Sequence, residues 1–193
     1  ILMDSKNKIL QNEIYTHPKY QQLLSIIIIH KNTGKALDIL IRVLQQVYNP
    51  FEIIFVDNST DSTYNMIDNY IINQCIHNVK LFHSNTPHFY ECLNIGLQNA
   101  SGKYIAFQVN DNHSTQLRFV QQIHELTKHS VNPEISLCLS YSNNNYDVSI
   151  STMCFTRNVF HKIGYFLHEY ESLCLEEYCW RYLTRCQLIK PEL

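Results

Sequence analysis

Three short polar clusters carry the side chains most able to do chemistry: His30-Lys31-Asn32, Asp57-Asn58-Ser59 and Asn110-Asp111-Asn112. Asp57 is suited to accept hydrogen bonds from a base or a ribose, since an ionised carboxylate only accepts. Asp111, flanked by two amides, suits a divalent cation. Hard ions such as Mg²⁺ take oxygen ligands and often only one or two carboxylates, with substrate phosphates completing the shell. Each aspartate alone reads equally well as a helix cap. Both together, each following a buried apolar run, point to a nucleotide-diphosphate site.

The elements that must position these clusters alternate in type. Leu23–Ile29 is a continuous Ile-rich run, the pattern of a strand buried on both faces of a parallel sheet. After the Asn32-Thr33-Gly34 turn signal, Ala36, Leu37, Leu40, Ile41 and Leu44 recur at helical spacing until Asn49-Pro50 stops them. Glu52–Val56 predicts a second buried strand, followed by a helix carrying Met66, Ile67, Tyr70 and Ile71. A strand over Val79–Phe82, a helix around Cys92, Leu93 and Ile95, a strand over Lys103–Val109 and a helix through Val120 and Ile123 continue the series. Further strands are expected at Ile135–Tyr141 and Val148–Phe155, with short helices to the end. Such alternation predicts an α/β fold, a three-layer α/β/α sandwich around a mostly parallel sheet. In such sheets ligands bind at the carboxyl ends of the strands, which is where all three polar clusters fall.

The sequence of 193 residues suits one domain, and 45% apolar against 17% charged residues supports a substantial core. A formal charge of −2 argues against a nucleic-acid partner held by a basic surface. The longest apolar run is far shorter than the ~20 residues a bilayer span requires, and no secretory signal is visible. The seven cysteines form no CxxC pair, so zinc ribbons are disfavoured and buried free thiols are expected. That favours a reducing, cytoplasmic compartment. The first residue is Ile, which suggests a piece of a longer protein. No GxGxxG follows the first strand and no P-loop signature occurs, so dinucleotide-binding and P-loop readings weaken.

Blocks in a fixed order then carry a resemblance. Ser25–Asn32, Glu52–Thr63, Cys92–Ile105, Phe107–Asn112, Thr152–Phe166 and Glu176-Glu177-Tyr178 together resemble a family 2 glycosyltransferase of the GT-A, nucleotide-diphospho-sugar transferase-like fold. The likeness covers roughly residues 23–186. It implies a polar leader at 1–22, a nucleotide-sugar-binding half at 23–112, and a half at 113–193 that binds the acceptor and supplies the base.

By this resemblance the activity is transfer of a sugar from a nucleotide-diphosphate donor to an acceptor hydroxyl, with inversion and with Mg²⁺ or Mn²⁺. Asp57 matches the aspartate that contacts the base. Asn32 and Asn58 would line the same pocket, Asn110 would reach the ribose, and Asn94 would pack its helix over the donor site. Asp111 matches the metal-holding residue, while Val109 occupies the first acidic position of the family's DxD turn. Glu177, with Glu176 second, falls where the catalytic base is expected. Pro87-His88-Phe89 replaces the usual basic residue, leaving His88 as a donor to phosphates, and His113 adjoins the metal turn. The acceptor implied is a glycan, a lipid-linked group or a protein, with membrane association through segments outside this chain, at the cytoplasmic face. The alternative is a degenerate GT-A domain that binds nucleotide sugar or a partner protein without turnover; Val109 and an acidic pair whose alignment shifts easily onto Cys174-Leu175 favour it. A sugar-phosphate nucleotidyltransferase would want a Gly- and Arg-rich loop after the first strand, which His30–Gly34 lacks.

Overall fold

The computed structural model describes residues 21–32, 34–109, 115–128, 137–139 and 150–186. Its strands are β1 (Leu24–His30), β2 (Phe51–Asp57), β3 (Val79–His83), β4 (Tyr104–Val109), β5 (Leu137–Leu139) and β6 (Met153–Thr156). Its helices are α1 (Ala36–Leu44), α2 (Thr63–Asn73), α3 (Phe89–Asn99), α4 (Arg118–Lys128), α5 (Arg157–Ile163) and α6 (Cys174–Cys186). The six strands lie in one sheet in the order β3-β2-β1-β4-β6-β5. β1 to β4 run parallel, and β6 is antiparallel to both β4 and β5. The alternation in the sequence therefore does produce an α/β sandwich on a mostly parallel sheet.

Period-2 geometry sorts the apolar strand residues onto two faces. Ile26, Ile28, Ile53 and Phe55 face α1, α2 and α4, where Leu40, Ile67, Phe119 and Ile123 meet them. Ile27, Ile29, Ile54, Val56 and Phe107 face the other layer, with Leu93 and Leu97 of α3, Val159 of α5 and Tyr178 of α6. A strand covered on both sides needs no polar alternation, which explains the run of four isoleucines. The helix–sheet approach is closest at Gly96, where any Cβ would collide with the Ile27 side chain.

Two expectations shift in detail. β1 runs one residue further than its apolar run, taking in His30 as a fully buried last residue. The strand expected at Val148–Phe155 begins only at Met153, and Ile150–Thr152 forms a 3₁₀ turn. β4 and β5 supply partners only for Met153–Thr156, so the preceding backbone closes its own short-range bonds.

At the end of the sheet opposite the polar clusters, Glu52 knits three strands together. Its carboxylate accepts from Ser25 Oγ at 2.7 Å, from the Ser101 backbone N–H and Oγ at 2.6 Å each, and from Lys80 Nζ at 2.9 Å. Burial alone would raise its pKa, but the hydrogen bonds from Lys80, Ser101 and Ser25 outweigh that and hold it at about 2.

Candidate active site

The chain order β1→β2→β3 builds the sheet one way from β1, and β4 then lands on the other flank of β1. The topological switch point lies between β1 and β4, and the crevice opens at their carboxyl ends, beside His30 and Val109. The polar clusters after β1 and β2 meet at this edge. The third cluster, Asn110-Asp111-Asn112, with His113, lies outside the described residues; Val109, the last residue of β4, is 9% exposed and adds no carboxylate.

His30 and Asp57 are register partners at the ends of β1 and β2, and both are 0% exposed. His30 Nδ1 lies 3.3 Å from Asp57 Oδ1 and 3.2 Å from Ser59 Oγ. A carboxylate only accepts, so Nδ1 carries the proton and donates to Asp57. The other oxygen, Asp57 Oδ2, is buried and makes no hydrogen bond among the described residues. His83, register partner of Asp57 at the end of β3, places its Nδ1 3.8 Å from Oδ2, beyond hydrogen-bond reach. Its ring stands edge-on to Tyr64.

Asn32 adopts a positive φ of 47°, a conformation Asn tolerates better than most residues. Its N–H donates to Ser59 Oγ at 2.9 Å and its Oδ1 accepts from the Thr60 N–H at 3.1 Å. It therefore locks the turn after β1 to the turn after β2. Asn58 uses its amide N–H₂ on the next segment, donating to Thr86 O at 2.8 Å and to Cys92 Sγ at 3.3 Å. That fixes the β3–α3 connection, further tied by the Thr86–Glu91 hydrogen bond. Asn94 clamps a different loop: its Nδ2 donates to Phe166 O at 2.8 Å and its Oδ1 accepts from Phe166 N–H at 2.9 Å. Asn32, Asp57 and Asn58 are brought together, and Asn94 braces the layer behind them.

The acidic pair divides. Glu177 points back along α6 and is held by Arg181, Nε to Oε1 at 2.5 Å and Nη2 to Oε2 at 2.7 Å. The same guanidinium donates to Ile163 O and to Tyr165 O, which closes the turn after α5. Glu176 is exposed on the first turn of α6. It stands close enough to Tyr90, at the start of α3, to add to the upward push on that phenol, which comes first from burial and next from Cys174. The Cys174 thiol is itself pushed up to about 11, chiefly by burial. The sequence reading missed Arg181 and the pairing of His30 with Asp57. An i, i+4 Glu–Arg spacing was the available signal for the first; nothing local signalled the second.

The model for glycosyl transferase family 2 matches residues 25–172. The chain belongs to that family. No curated protein sequence matches it significantly. Among solved structures, this family 2 chain is similar to a mannosyltransferase from Pyrobaculum calidifontis, PcManGT, in complex with GDP-Man and Mn²⁺. There the TM-score is 0.65 at 16% identity, over 81% of this chain and 53% of that one. It is also similar to S. aureus TarS, residues 1–349, in complex with UDP, with a TM-score of 0.63 at 18% identity over 84% of this chain and 56% of that one. The family 2 chain thus spans about half the length of these structures. At such identities the likeness establishes the fold, GT-A. Among the described residues, no group of three or more His, Cys, Asp or Glu is arranged to hold a metal ion, and no helix is long and apolar enough to cross a membrane.

Proposed function

We propose that this family 2 domain transfers a glycosyl group from a nucleoside-diphosphate sugar to an acceptor hydroxyl, with inversion at the anomeric carbon. The observation that carries the reading is Asp57 Oδ2, a buried acceptor with no hydrogen bond among the described residues, beside the switch point of a GT-A sheet. A buried polar atom left unmatched costs about 1–3 kcal/mol, and a ligand N–H meeting it recovers that. The complexes of similar structures with GDP-Man, UDP and UDP-GlcNAc support a nucleotide-sugar donor.

In this reading Asp57 receives the base, Asn32 and Asn58 hold the two loops around it, and Asn110 would reach the ribose. Asp111 would hold Mg²⁺ or Mn²⁺, since such ions often take only one or two carboxylates with substrate phosphates completing the shell. The ion supplies charge stabilisation for the departing diphosphate. The acceptor hydroxyl attacks the anomeric carbon while a carboxylate takes its proton. We assign that role to Glu176, which is exposed, because two bonds from Arg181 hold the Glu177 carboxylate in a structural ion pair. Cys75, Cys92, Cys154, Cys174, Cys179 and Cys186 are free thiols, which fits a cytoplasmic setting. The acceptor is a glycan, lipid-linked or protein hydroxyl.

Sugar release from a panel of UDP-, GDP- and dTDP-sugars tests the reading. Asp57→Ala is expected to abolish donor binding, and Glu176→Gln to lower turnover by about 10²–10⁴ without changing donor affinity. A panel in which no donor binds would overturn it. Donor binding with no turnover under any condition favours instead the degenerate, binding-only domain, for which the buried Val109 and the engaged Glu177 already speak.

A further inference from the structure

The end of the sheet away from the nucleotide edge carries a cavity of about 490 Å³. Leu23, just before β1, Lys103, just before β4, and Thr156, the last residue of β6, line it together with Ser101, Arg157 and Asn158. It lies a full strand from His30 and Asp57, roughly 20 Å at about 3.3 Å per residue. Lys103 and Arg157 bring two positive charges, and no Asp or Glu lines the cavity among the described residues. Glu52, the carboxylate bonded to Ser101, is already paired with Lys80 Nζ at 2.9 Å.

The backbone fixes how Arg157 is presented. Its N–H donates to Lys103 O at 2.8 Å, its Nε to Gly102 O at 2.8 Å and its Nη2 to Ala100 O. The two side-chain bonds use the Nε–Nη2 edge of the guanidinium. Nη1 donates to nothing among the described residues, so the outer Nη1–Nη2 edge remains as a fork for two oxygens of one oxyanion. Two cations facing no carboxylate match the charge of about −1.5 to −2 that a phosphate group carries at pH 7.

We propose that this cavity is a second ligand site, which takes a phosphate group, free or carried by a small phosphate monoester. Arg157 is its bidentate contact and Lys103 its neighbouring charge. The site needs no metal ion, and it stands at the opposite end of the strands from the donor site read above. Its volume falls in the range of small-molecule pockets, about 300–1,000 Å³, so an ester has room beside the bound phosphate.

Calorimetric titration of the chain with inorganic phosphate and with glycerol 3-phosphate, at fixed ionic strength and without divalent metal, tests the proposal. Saturable binding is expected, and saturating UDP should leave it unchanged. Equal affinities identify free phosphate as the ligand; tighter glycerol 3-phosphate identifies a phosphorylated small molecule. Arg157→Lys, which keeps the charge and loses the fork, should weaken binding at least about tenfold, the effect of one charge-assisted hydrogen bond. Lys103→Gln, which leaves both carbonyl bonds of Arg157 in place, should weaken it about threefold to fivefold. Melting curves show whether each variant is folded; if Arg157→Lys is not, Lys103→Gln decides. No saturable binding up to about 10 mM of either probe would overturn the site. Displacement of phosphate by UDP would overturn it too, placing the anion at the donor site instead. Unchanged affinity in folded Arg157→Lys would overturn the role of the fork. The nucleotide-sugar reading stands or falls separately, since neither probe carries a nucleoside.

Discussion

Glu177 and Glu176 are neighbours in sequence with opposite surroundings, and exchanging each in turn separates structure from chemistry. The Arg181 side chain is 6% exposed, and its guanidinium lies over the Tyr178 ring with the centroid at 5.2 Å. Glu177→Ala would leave this cation buried with only the Ile163 and Tyr165 carbonyls as partners. Breaking a buried ion pair from one side costs about 3–5 kcal/mol. The surviving carbonyl bonds and the 14% exposure of Glu177 place the expected loss lower, at about 2–3 kcal/mol. For a chain of this size that lowers the melting temperature by roughly 5–10 °C. Glu176→Gln, on an exposed first-turn position, should melt within about a degree of the parent and lose turnover instead. Thermal denaturation followed by circular dichroism, paired with donor-sugar release on the same preparations, reads both quantities. Glu177→Ala melting like the parent while turnover vanishes would refute the assignment: Glu177 would then be the base and its ion pair incidental.

Glu52 makes the fold acid-sensitive in a defined window. Its folded pKa of about 2 lies below its ordinary 4.5, so the unfolded chain binds the extra proton between the two values. The stabilisation is complete above pH 4.5 and fades as pH falls towards 2, by about 2–3 kcal/mol after allowing for the exposed Lys80. Urea titrations across that range should show the slope, and Glu52→Gln should flatten it. Asn94→Ala removes two hydrogen bonds to the Phe166 backbone and should cost about 1–3 kcal/mol in the same assay; a loss near zero would remove its bracing role. Gly96→Ala drives a methyl into Ile27 and should destabilise by about 1–3 kcal/mol. Mn²⁺ should tighten UDP binding to the parent but not to Asp111→Ala; enhancement surviving that change would locate the ion elsewhere.

Much of the scaffold is legible because burial on two faces leaves an unmistakable mark. Leu23–Ile29, Glu52–Val56 and Lys103–Val109 read as central strands, and helical spacing of Ala36, Leu40 and Leu44 reads as the crossover after the first. Ligands of parallel sheets bind at strand ends, so position alone makes Asp57 a candidate. The limits of legibility are equally physical. His30 looked like the first residue of a loop, because a histidine ends an apolar run in sequence terms. It belongs to the strand because Asp57, 27 residues later in the chain, lies beside it in register and supplies the acceptor for its N–H. No local pattern encodes such a partner.

The acidic pair illustrates the complementary difficulty. Spacing places Glu176 and Glu177 together on the first turn of α6, where the helix dipole favours either one equally. Their roles divide only through Arg181 one turn on, and through the carbonyls of Ile163 and Tyr165 that hold its guanidinium in position. A carboxylate held by two bonds to a buried guanidinium is fixed in place, and turning it toward a substrate hydroxyl would break that fork. Glu176, one step round the helix and exposed near Tyr90, has no such ion pair among the described residues. His30 and Asp57 show the same dependence on a distant partner: the register of β1 with β2 brings the imidazole N–H to the carboxylate and fixes how Asp57 is held.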